Sequence, residues 1–351
     1  MPSIEIFGKG RIDERDSAFP QAAQLPEGDL LCSFNVGGGA FVDGGSDWAR
    51  STDGGETWTL EGTILPPTDN PRTTNALKLS ISTGGTVFAY GSRAYPQAGH
   101  GFGHVRNEPV FCTFDGAGWS SPTVVPMPAD CPLEISHGIL PLSSGRLLAP
   151  TATLPAQGRL GEQVIVAISD DGGRTWPRHA VVFQDSEKKL GFFEQKLAEI
   201  GQGRVIATCW TVTLDGVEDR PNRFAISEDQ GSTWGPAIST GISGQTMTPV
   251  TLGQDRLLVL YNRRYGEQAI MMALVTFTEE SWAVHYEGVL YDAKKSRQRP
   301  GDMTSGVDEL DAFTFGFPTA LRLQDGTIFA TYWSREDGKN GVSWTKLAVD
   351  W

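Results

Sequence analysis

Two glutamates lie where a carboxyl group could do acid–base chemistry. Glu194 opens a segment that we interpret as a buried strand, and Glu134 lies in the segment 131–137. An apolar setting disfavours an ionised carboxylate and raises its pKa. Glycoside hydrolysis requires two carboxyl groups, one protonated and one ionised, and a separation of roughly 6–9 Å is typical of inverting enzymes. We therefore rank Glu194 first and Glu134 second as catalytic candidates, with Asp43 and Asp47 third.

Histidines add further candidates. His137 follows Glu134 by three residues, and its imidazole could orient a substrate hydroxyl or transfer a proton near neutral pH, with a structural role equally open. His100 and His104 have a spacing that can chelate a metal, but the sequence shows no third ligand beside them. We expect neither a metal nor a cofactor. Each glutamate also has a plain alternative, since a carboxylate at a strand start often only anchors a loop.

Two repeats define the elements that must position these residues. The first, Ser-x-Asp-x-Gly-x-Thr-Trp, occurs at residues 51–58, 169–176 and 227–234. Its aspartate can accept backbone N–H groups and its glycine permits a positive φ, as a tight turn requires. The second repeat is an apolar run, a polar turn and another apolar run. It occurs six times, with turn residues at 28, 85, 145, 203, 255 and 326.

Each copy of the second repeat fits two β-strands, and two further strands joined by the Asp-Gly turn complete a four-stranded unit. Six such units predict an all-β fold, a six-bladed β-propeller of four-stranded antiparallel blades. The alternating segment 4–7 is predicted to be the outer strand of blade six. We interpret residues 1–351 as one domain, because repeat architectures override the usual relation between length and domain count.

The composition limits the classes of partner. Asp and Glu total 42 against 29 Lys and Arg, which gives a net charge of −13. A strongly acidic chain is a poor partner for nucleic acid or an anionic membrane, so we expect neither. No apolar stretch approaches the length of a membrane span, and the N-terminus lacks the basic and apolar regions of a signal peptide. We therefore expect a cytoplasmic protein and leave its oligomeric state open.

The Ser-x-Asp-x-Gly-x-Thr-Trp turns on a sixfold strand repeat resemble the Asp-box, or BNR, repeats of the sialidase superfamily. The resemblance covers essentially the whole chain. It implies that Asp53, Asp171 and Asp229 are structural and lie on the face away from the active site. It also implies that active-site residues come from the start of each innermost strand and from the loop after each second strand.

Several further residues fall on the face that the resemblance assigns to the active site. Aromatic side chains there can stack on the apolar face of a sugar ring, with core packing as the alternative. Arginines there can bind an acidic sugar through a clamp of their own, with surface ion pairing as the alternative. The aromatic candidates are Tyr95, Trp210, Tyr265 and Trp333, and the arginine candidates are Arg93, Arg223, Arg263, Arg264 and Arg335.

The chain departs from the pattern of sialidase catalytic residues. Ala18 and Trp210 occupy the places of two arginines that grip the substrate carboxylate, and Phe317 occupies the place of the tyrosine nucleophile. Phenylalanine has no oxygen with which to attack an anomeric carbon. Glu194 does occupy the place of the glutamate base. The chain therefore resembles the family in its fold and in one carboxylate, but not in its carboxylate clamp or its nucleophile.

The residues and the resemblance together favour an exo-acting glycoside hydrolase with a carbohydrate substrate and a carboxyl pair, different from a standard sialidase. Three alternatives stay open. The first is a polysaccharide lyase that uses His137 or a tyrosine to remove a proton beside an arginine-neutralised uronate. The second is a non-catalytic propeller that binds a glycan or a protein. The third is a true exo-sialidase with a rearranged site.

Overall fold

A computed structural model describes residues 2–37, 44–97, 105–154, 161–201, 203–299, 301 and 312–351. Within these ranges every named element is a β-strand. The strands form six antiparallel sheets of four or five strands each, arranged as the blades of a propeller. The predicted all-β, six-bladed fold is therefore confirmed. No helix long and apolar enough to cross a membrane occurs in the described part of the chain.

The blades follow one another along the chain. Blade one contains β2 (Ser17–Gln24), β3 (Leu30–Val36), β4 (Ser46–Ser51) and β5 (Thr59–Leu65). Blade two contains β6 (Thr68–Asp69), β7 (Arg72–Ile81), β8 (Val87–Ala94), β9 (Asn107–Phe114) and β10 (Thr123–Val124). Blade three contains β11 (Leu133–Glu134), β12 (Leu140–Pro141), β13 (Leu147–Thr153), β14 (Gln163–Ser169) and β15 (Arg178–Gln184).

The second half of the ring has the same plan. Blade four contains β16 (Leu190–Gly201), β17 (Arg204–Thr213), β18 (Asp219–Ser227) and β19 (Ile238–Ser239). Blade five contains β20 (Gln245–Gly253), β21 (Arg256–Arg263), β22 (Gly266–Phe277) and β23 (Trp282–Arg297). Blade six contains β24 (Phe315–Arg322), β25 (Ile328–Glu336), β26 (Lys339–Asp350) and, from the other end of the chain, β1 (Ser3–Asp13).

The pairing of β1 with β26 closes the ring. The two strands are antiparallel, and their register runs from Ser3 opposite Asp350 to Asp13 opposite Val342. The outer strand of blade six therefore precedes blade one in the sequence, as the alternation of segment 4–7 predicts. Closing the ring in this way joins the first blade to the last through main-chain hydrogen bonds and leaves few exposed sheet edges.

The hydrophobic core is divided among the interfaces between neighbouring blades. Between blades three and four, Leu148 and Val166 pack with Leu197 and Cys209. Equivalent clusters lie between the other neighbouring blades. Both faces of each sheet are thus covered, which explains why the inner strands are continuous apolar runs with little polar alternation.

The Ser-x-Asp-x-Gly-x-Thr-Trp turns dock one blade on the next. In the copy at 169–176, the Asp171 carboxylate accepts the Thr175 N–H at 2.9 Å and the Thr175 hydroxyl at 2.7 Å. Gly173 has a φ of +87°, and a Cβ at this position would lie 2.5 Å from the ring of Phe111 in the preceding blade. Glycine is required here because the turn needs a positive φ and the neighbouring ring leaves no room for a methyl group.

The order of the strands separates two faces of the ring. The turns after each innermost strand and the turns between third and fourth strands lie at one end of the blades, which we call the turn face. The innermost strands begin at the other end, which we call the loop face. The aspartate turns therefore lie on the turn face, while the first residues of each innermost strand lie around the axis on the loop face.

Candidate functional site

A strained bulge recurs at the start of four innermost strands. Phe19, Glu194, Thr246 and Phe317 have φ values of 55°, 49°, 55° and 49°. Each precedes the turn residue of its own blade by nine positions. Non-glycine residues rarely adopt this left-handed conformation, which costs of order 1–3 kcal/mol and is found mainly at functional sites. The same unusual backbone thus sets one side chain per blade at the axis in blades one, four, five and six.

Blade three reaches the axis in a different way. Its innermost strand is split into β11 and β12, and residues 135–139 leave the ladder between them. The Lys196 ammonium of blade four donates a hydrogen bond to the freed carbonyl oxygen of Ser136. Glu134 precedes Ser136 in the chain and His137 follows it, so both residues flank the contact with Lys196.

The two candidate glutamates meet at the boundary between blades three and four. Glu134 is buried and only 5% exposed, whereas Glu194 is partly exposed. Burial raises the pKa of Glu134 above its ordinary 4.5, and the like charge of Glu194 raises it further, while Lys196 opposes both effects. Burial also raises the pKa of Glu194, against the opposing charges of Lys196 and Arg264. The structure thus brings together the two carboxyl groups that the sequence ranks first.

Two buried lysines complete the cluster. Lys196 is fully buried and Lys78 is 2% exposed. The Lys196 Nζ lies 3.7 Å from the centre of the Phe317 ring, and the Lys78 Nζ lies 5.2 Å from the same point. Burial lowers the pKa of Lys78 to about 7, with a further contribution from the charge of Lys196. Sequence reasoning missed both lysines, although a lysine inside an otherwise buried strand is a signal that it needs a partner.

His137 is neutral and oriented. Its Nδ1 lies 2.6 Å from the carbonyl oxygen of Gly138, so Nδ1 carries the proton and donates, which leaves Nε2 as an acceptor. Burial and the charge of Lys196 lower the pKa of His137 to about 3. The residue as a whole is partly exposed. A neutral imidazole of this kind can accept a hydrogen bond from a hydroxyl group.

We call Lys78, Glu134, His137, Glu194 and Lys196, together with Phe19 and Phe317, the axial cluster. Its members differ in exposure. Phe19, His137 and Glu194 are partly exposed, and the other four are buried beneath them. A ligand that enters along the axis from the loop face therefore meets one aromatic ring, one imidazole and one carboxyl group first.

Arg264 lies next to this cluster. It is 6% exposed, donates a hydrogen bond to the Phe315 carbonyl oxygen at 2.6 Å, and lies 3.6 Å from the centre of the Phe313 ring. Its charge favours the ionised form of Glu194. Arg264 thus acts on the carboxyl pair electrostatically while its guanidinium holds the start of blade six.

The predicted aromatic residues have different settings. Trp210 and Trp333 are each 1% exposed and pack in the core. The Trp210 indole N–H donates to Asp219 at 2.8 Å, and Trp333 packs against Phe317 from the side away from solvent. Tyr265 is partly exposed and lies beneath the Arg299 guanidinium, outside the axial cluster.

The other predicted arginines bind elsewhere. Arg93 forms an ion pair with Glu108 at 2.8 Å, and the Tyr95 hydroxyl donates to the same carboxylate. Three arginines donate to main-chain carbonyl oxygens of their own blades, namely Arg223 to Ala237, Arg263 to Glu267 and Arg335 to Gly338. None of these contacts joins the axial cluster.

The third-choice carboxylates are also apart from the glutamate pair. Asp47 is 9% exposed and accepts hydrogen bonds from Arg15 at 3.0 Å and Thr63 at 2.7 Å. Asp43, His100 and His104 lie outside the described residues. Among the residues that the structure describes, no three His, Cys, Asp or Glu side chains are grouped as a metal site would require.

Comparison with solved structures identifies the fold. A protein of unknown function from Dyadobacter fermentans has a TM-score of 0.78 at 18% identity, with both chains fully covered. A Trypanosoma rangeli sialidase, solved with the inhibitor DANA, has a TM-score of 0.67 at 13% identity over 97% of this chain. The match spans only 60% of that sialidase chain. A Penicillium chrysogenum alpha-L-arabinanase, solved with arabinobiose, has a TM-score of 0.65 at 13% identity and covers 97% of this chain and 98% of its own.

No family model and no curated protein matches the sequence. At these low identities the structural matches show the fold alone. The chain is a sialidase-like six-bladed β-propeller, and the structures that share this architecture include glycoside hydrolases of more than one kind.

Proposed function

We propose that this protein is a glycoside hydrolase that uses Glu134 and Glu194 as its pair of carboxyl groups. One observation carries the proposal. Two glutamates from adjacent blades interact at the axis on the loop face, and they differ in exposure and in that the Arg264 charge acts on Glu194. Burial raises the pKa of both, and because like charges disfavour double ionisation, the pair tends to hold one proton, as an acid and a base in one site require.

The chemistry needs a proton for the leaving oxygen and a base for the attacking water. Glu134 is the acid, because burial and the neighbouring carboxyl group favour its protonated form. Burial raises the pKa of Glu194 too, but Glu194 is the base because it is the more exposed of the two and Arg264, which does not act on Glu134, favours its ionised form. As the water oxygen bonds to the anomeric carbon, the bond to the leaving oxygen breaks. Glu134 ends ionised and Glu194 protonated, and transfer of one proton between them restores the pair.

Other members of the axial cluster bind and position the sugar. Phe19 offers a partly exposed ring on which the apolar face of a sugar can rest. The Nε2 atom of His137 can accept a hydrogen bond from a sugar hydroxyl, because Nδ1 holds the proton. Lys196 anchors the Ser136 carbonyl oxygen and keeps blades three and four, and hence their glutamates, in register.

This site differs from the tyrosine-based one of sialidases. Phe317 stands at the tyrosine position, is 3% exposed, and covers the Lys196 ammonium. It has no atom that could form a bond to an anomeric carbon. The proposal therefore uses direct attack by water and needs no covalent intermediate.

The test is the Glu194→Gln variant, assayed on a panel of nitrophenyl glycosides and natural oligosaccharides. We expect kcat to fall by about 10²–10⁴-fold, since general acid–base catalysis contributes this much. Glu199→Gln is the matched control, because Glu199 lies in the same strand but bonds to Ser143 near the turn face. A folded Glu194→Gln variant with full activity would refute the proposal. An unsaturated uronate product would indicate a lyase instead.

A further inference from the structure

We infer that the substrate of this site is an uncharged sugar and not a sialic or uronic acid. This inference rests on the proposed glycosidase function and adds the class of substrate. It is carried by the way in which the cations of the loop face and the axis are engaged. A sugar carboxylate is normally held by guanidinium groups whose donors point into the site, often in a bidentate pair.

Three of the arginines near the rim of the loop face are paired with acidic partners, while Arg223, Arg263 and Arg335 donate to main-chain carbonyl oxygens. Arg15 pairs with Asp47 at 3.0 Å, Arg93 with Glu108 at 2.8 Å and Arg299 with Asp219 at 3.4 Å. The first pair lies in blade one, the second lies in blade two, and the third joins blade five to blade four. The three pairs therefore lie on different sides of the axis. Each guanidinium would have to leave a carboxylate of the protein before it could bind one on a sugar.

The cations at the axis are engaged as well. Lys78 and Lys196 are buried against the Phe317 ring, and the Lys196 ammonium also donates to the Ser136 carbonyl oxygen. Arg264 donates to the Phe315 carbonyl oxygen and lies on the Phe313 ring. Lys78, Lys196 and Arg264 are each at most 6% exposed, so a substrate carboxylate at the axis could reach none of their donors unless Phe317 or the start of blade six moved.

The remaining features suit an uncharged sugar. Phe19, His137 and Glu194 are the partly exposed members of the axial cluster. They offer one apolar surface and two hydrogen-bond acceptors, which match the C–H face and the hydroxyl groups of a neutral ring. The net charge of −13 acts in the same direction, because it lowers the local concentration of anionic glycans.

The test uses matched pairs of nitrophenyl glycosides in which only the hydroxymethyl group is replaced by a carboxylate, namely glucoside with glucuronide and galactoside with galacturonide, together with a sialoside. We expect kcat/KM for the best neutral member to exceed that of its acidic partner by about 100-fold, the penalty of a carboxylate left without a cationic donor in a desolvated site. Hydrolysis of an acidic member with equal or greater kcat/KM would overturn the inference and leave the glycosidase proposal standing.

Binding separates the remaining outcomes. Calorimetric titration of the Glu194→Gln variant with neutral and acidic oligosaccharides reports affinity without turnover. Preferential binding of neutral sugars by a wild-type protein that hydrolyses none of them would support the substrate class and refute the glycosidase. Absence of both binding and hydrolysis across the panel would overturn both.

A second variant tests the pairing itself. Glu108→Gln removes the charge that engages Arg93 and keeps a side chain that can accept from Tyr95. We expect kcat/KM for the acidic members to rise by about 2- to 5-fold, the range of a single ion pair near the surface, while the neutral members stay unchanged. Glu61→Gln, which removes the partner of Arg50 in an outer strand, is the control and should change neither. An unchanged neutral-to-acidic ratio in Glu108→Gln would count against the role assigned to these pairs.

Discussion

The Lys196 ammonium lies 3.7 Å from the centre of the Phe317 ring and donates a hydrogen bond to the Ser136 carbonyl oxygen. One buried cation of blade four therefore binds an aromatic ring of blade six and the main chain of blade three. Desolvated contacts between an ammonium and an aromatic face are worth about 2 kcal/mol. Phe317 thus has a structural partner in this chain, which explains how an apolar ring can occupy the axis.

Lys196→Met should shift the pH dependence of hydrolysis. The Lys196 charge lowers the pKa values of Glu134 and Glu194, so its removal raises both. The acid stays protonated to higher pH and the base ionises later, so both limbs of the kcat/KM profile should move to higher pH by about 1 unit. Lys346→Met, which removes the partner of Glu56 on the turn face, is the control. Limbs that stay at their wild-type pH would show that Lys196 does not act on the pair.

Glu134→Gln should change how stability depends on pH. Because the folded-state pKa of Glu134 is raised above 4.5, the folded protein holds this proton where the unfolded chain has lost it. This contribution to stability is complete below about pH 4.5 and is lost as the pH rises through the raised value. Relative to wild type, the variant should gain about 1–3 kcal/mol in free energy of unfolding between about pH 5 and pH 8. The free energies of unfolding can be measured by urea titration at several pH values. A difference between variant and wild type that does not change with pH would contradict the raised pKa of Glu134.

Phe317→Leu should weaken the contact at the axis between blades four and six. It removes the aromatic face above Lys196 and leaves a small cavity next to Trp333, at a cost of about 1–3 kcal/mol in the free energy of unfolding. Phe7→Leu is the comparison, because Phe7 is 50% exposed and should cost little. Denaturant unfolding followed by tryptophan fluorescence measures both. Equal free energies of unfolding for the two variants would mean that the contact between Lys196 and the Phe317 ring does not stabilise the protein.

Gly173→Ala and Gly172→Ala separate backbone strain from contact with the neighbouring blade. Both glycines have positive φ values, +87° and +73°, but only a Cβ at Gly173 would meet the Phe111 ring, at 2.5 Å. Gly172→Ala should cost about 1 kcal/mol and Gly173→Ala about 2–4 kcal/mol. Activity per folded molecule should be unchanged in both, because the turn lies on the turn face. A loss of activity in the folded variants would show that the two faces are coupled.

The sequence predicts the architecture well because one short pattern occurs six times and specifies the same pair of strands each time. The turn residues and the flanking apolar runs specify each pair of strands, and alternation in segment 4–7 is enough to place β1 against β26. The innermost strand of blade three is the exception. Its copy of the second repeat resembles the other five, yet residues 135–139 leave the ladder, and the Ser136 carbonyl oxygen accepts a hydrogen bond from the Lys196 ammonium.

The candidate site is predicted only in part. Glu134, Glu194 and His137 are found from their position at strand starts, and the structure brings them together. Lys78 and Lys196 are missed, because a lysine in a buried strand is interpretable only when its acidic partners, distant in sequence, are known. The left-handed conformation of Glu194 is missed for a similar reason, since glutamate has no local preference for it and tertiary packing imposes it.

The bulges at the axis make the side chains that line the centre independent of the strand pairing. Phe19, Glu194, Thr246 and Phe317 pair with no residue of the second strand in their blades, so the ladders on either side do not depend on which side chain stands there. A new residue type at one of these places alters what the centre presents while the strands keep their alignment. The side chains around the axis can therefore be exchanged one blade at a time while the pairing of the strands is kept.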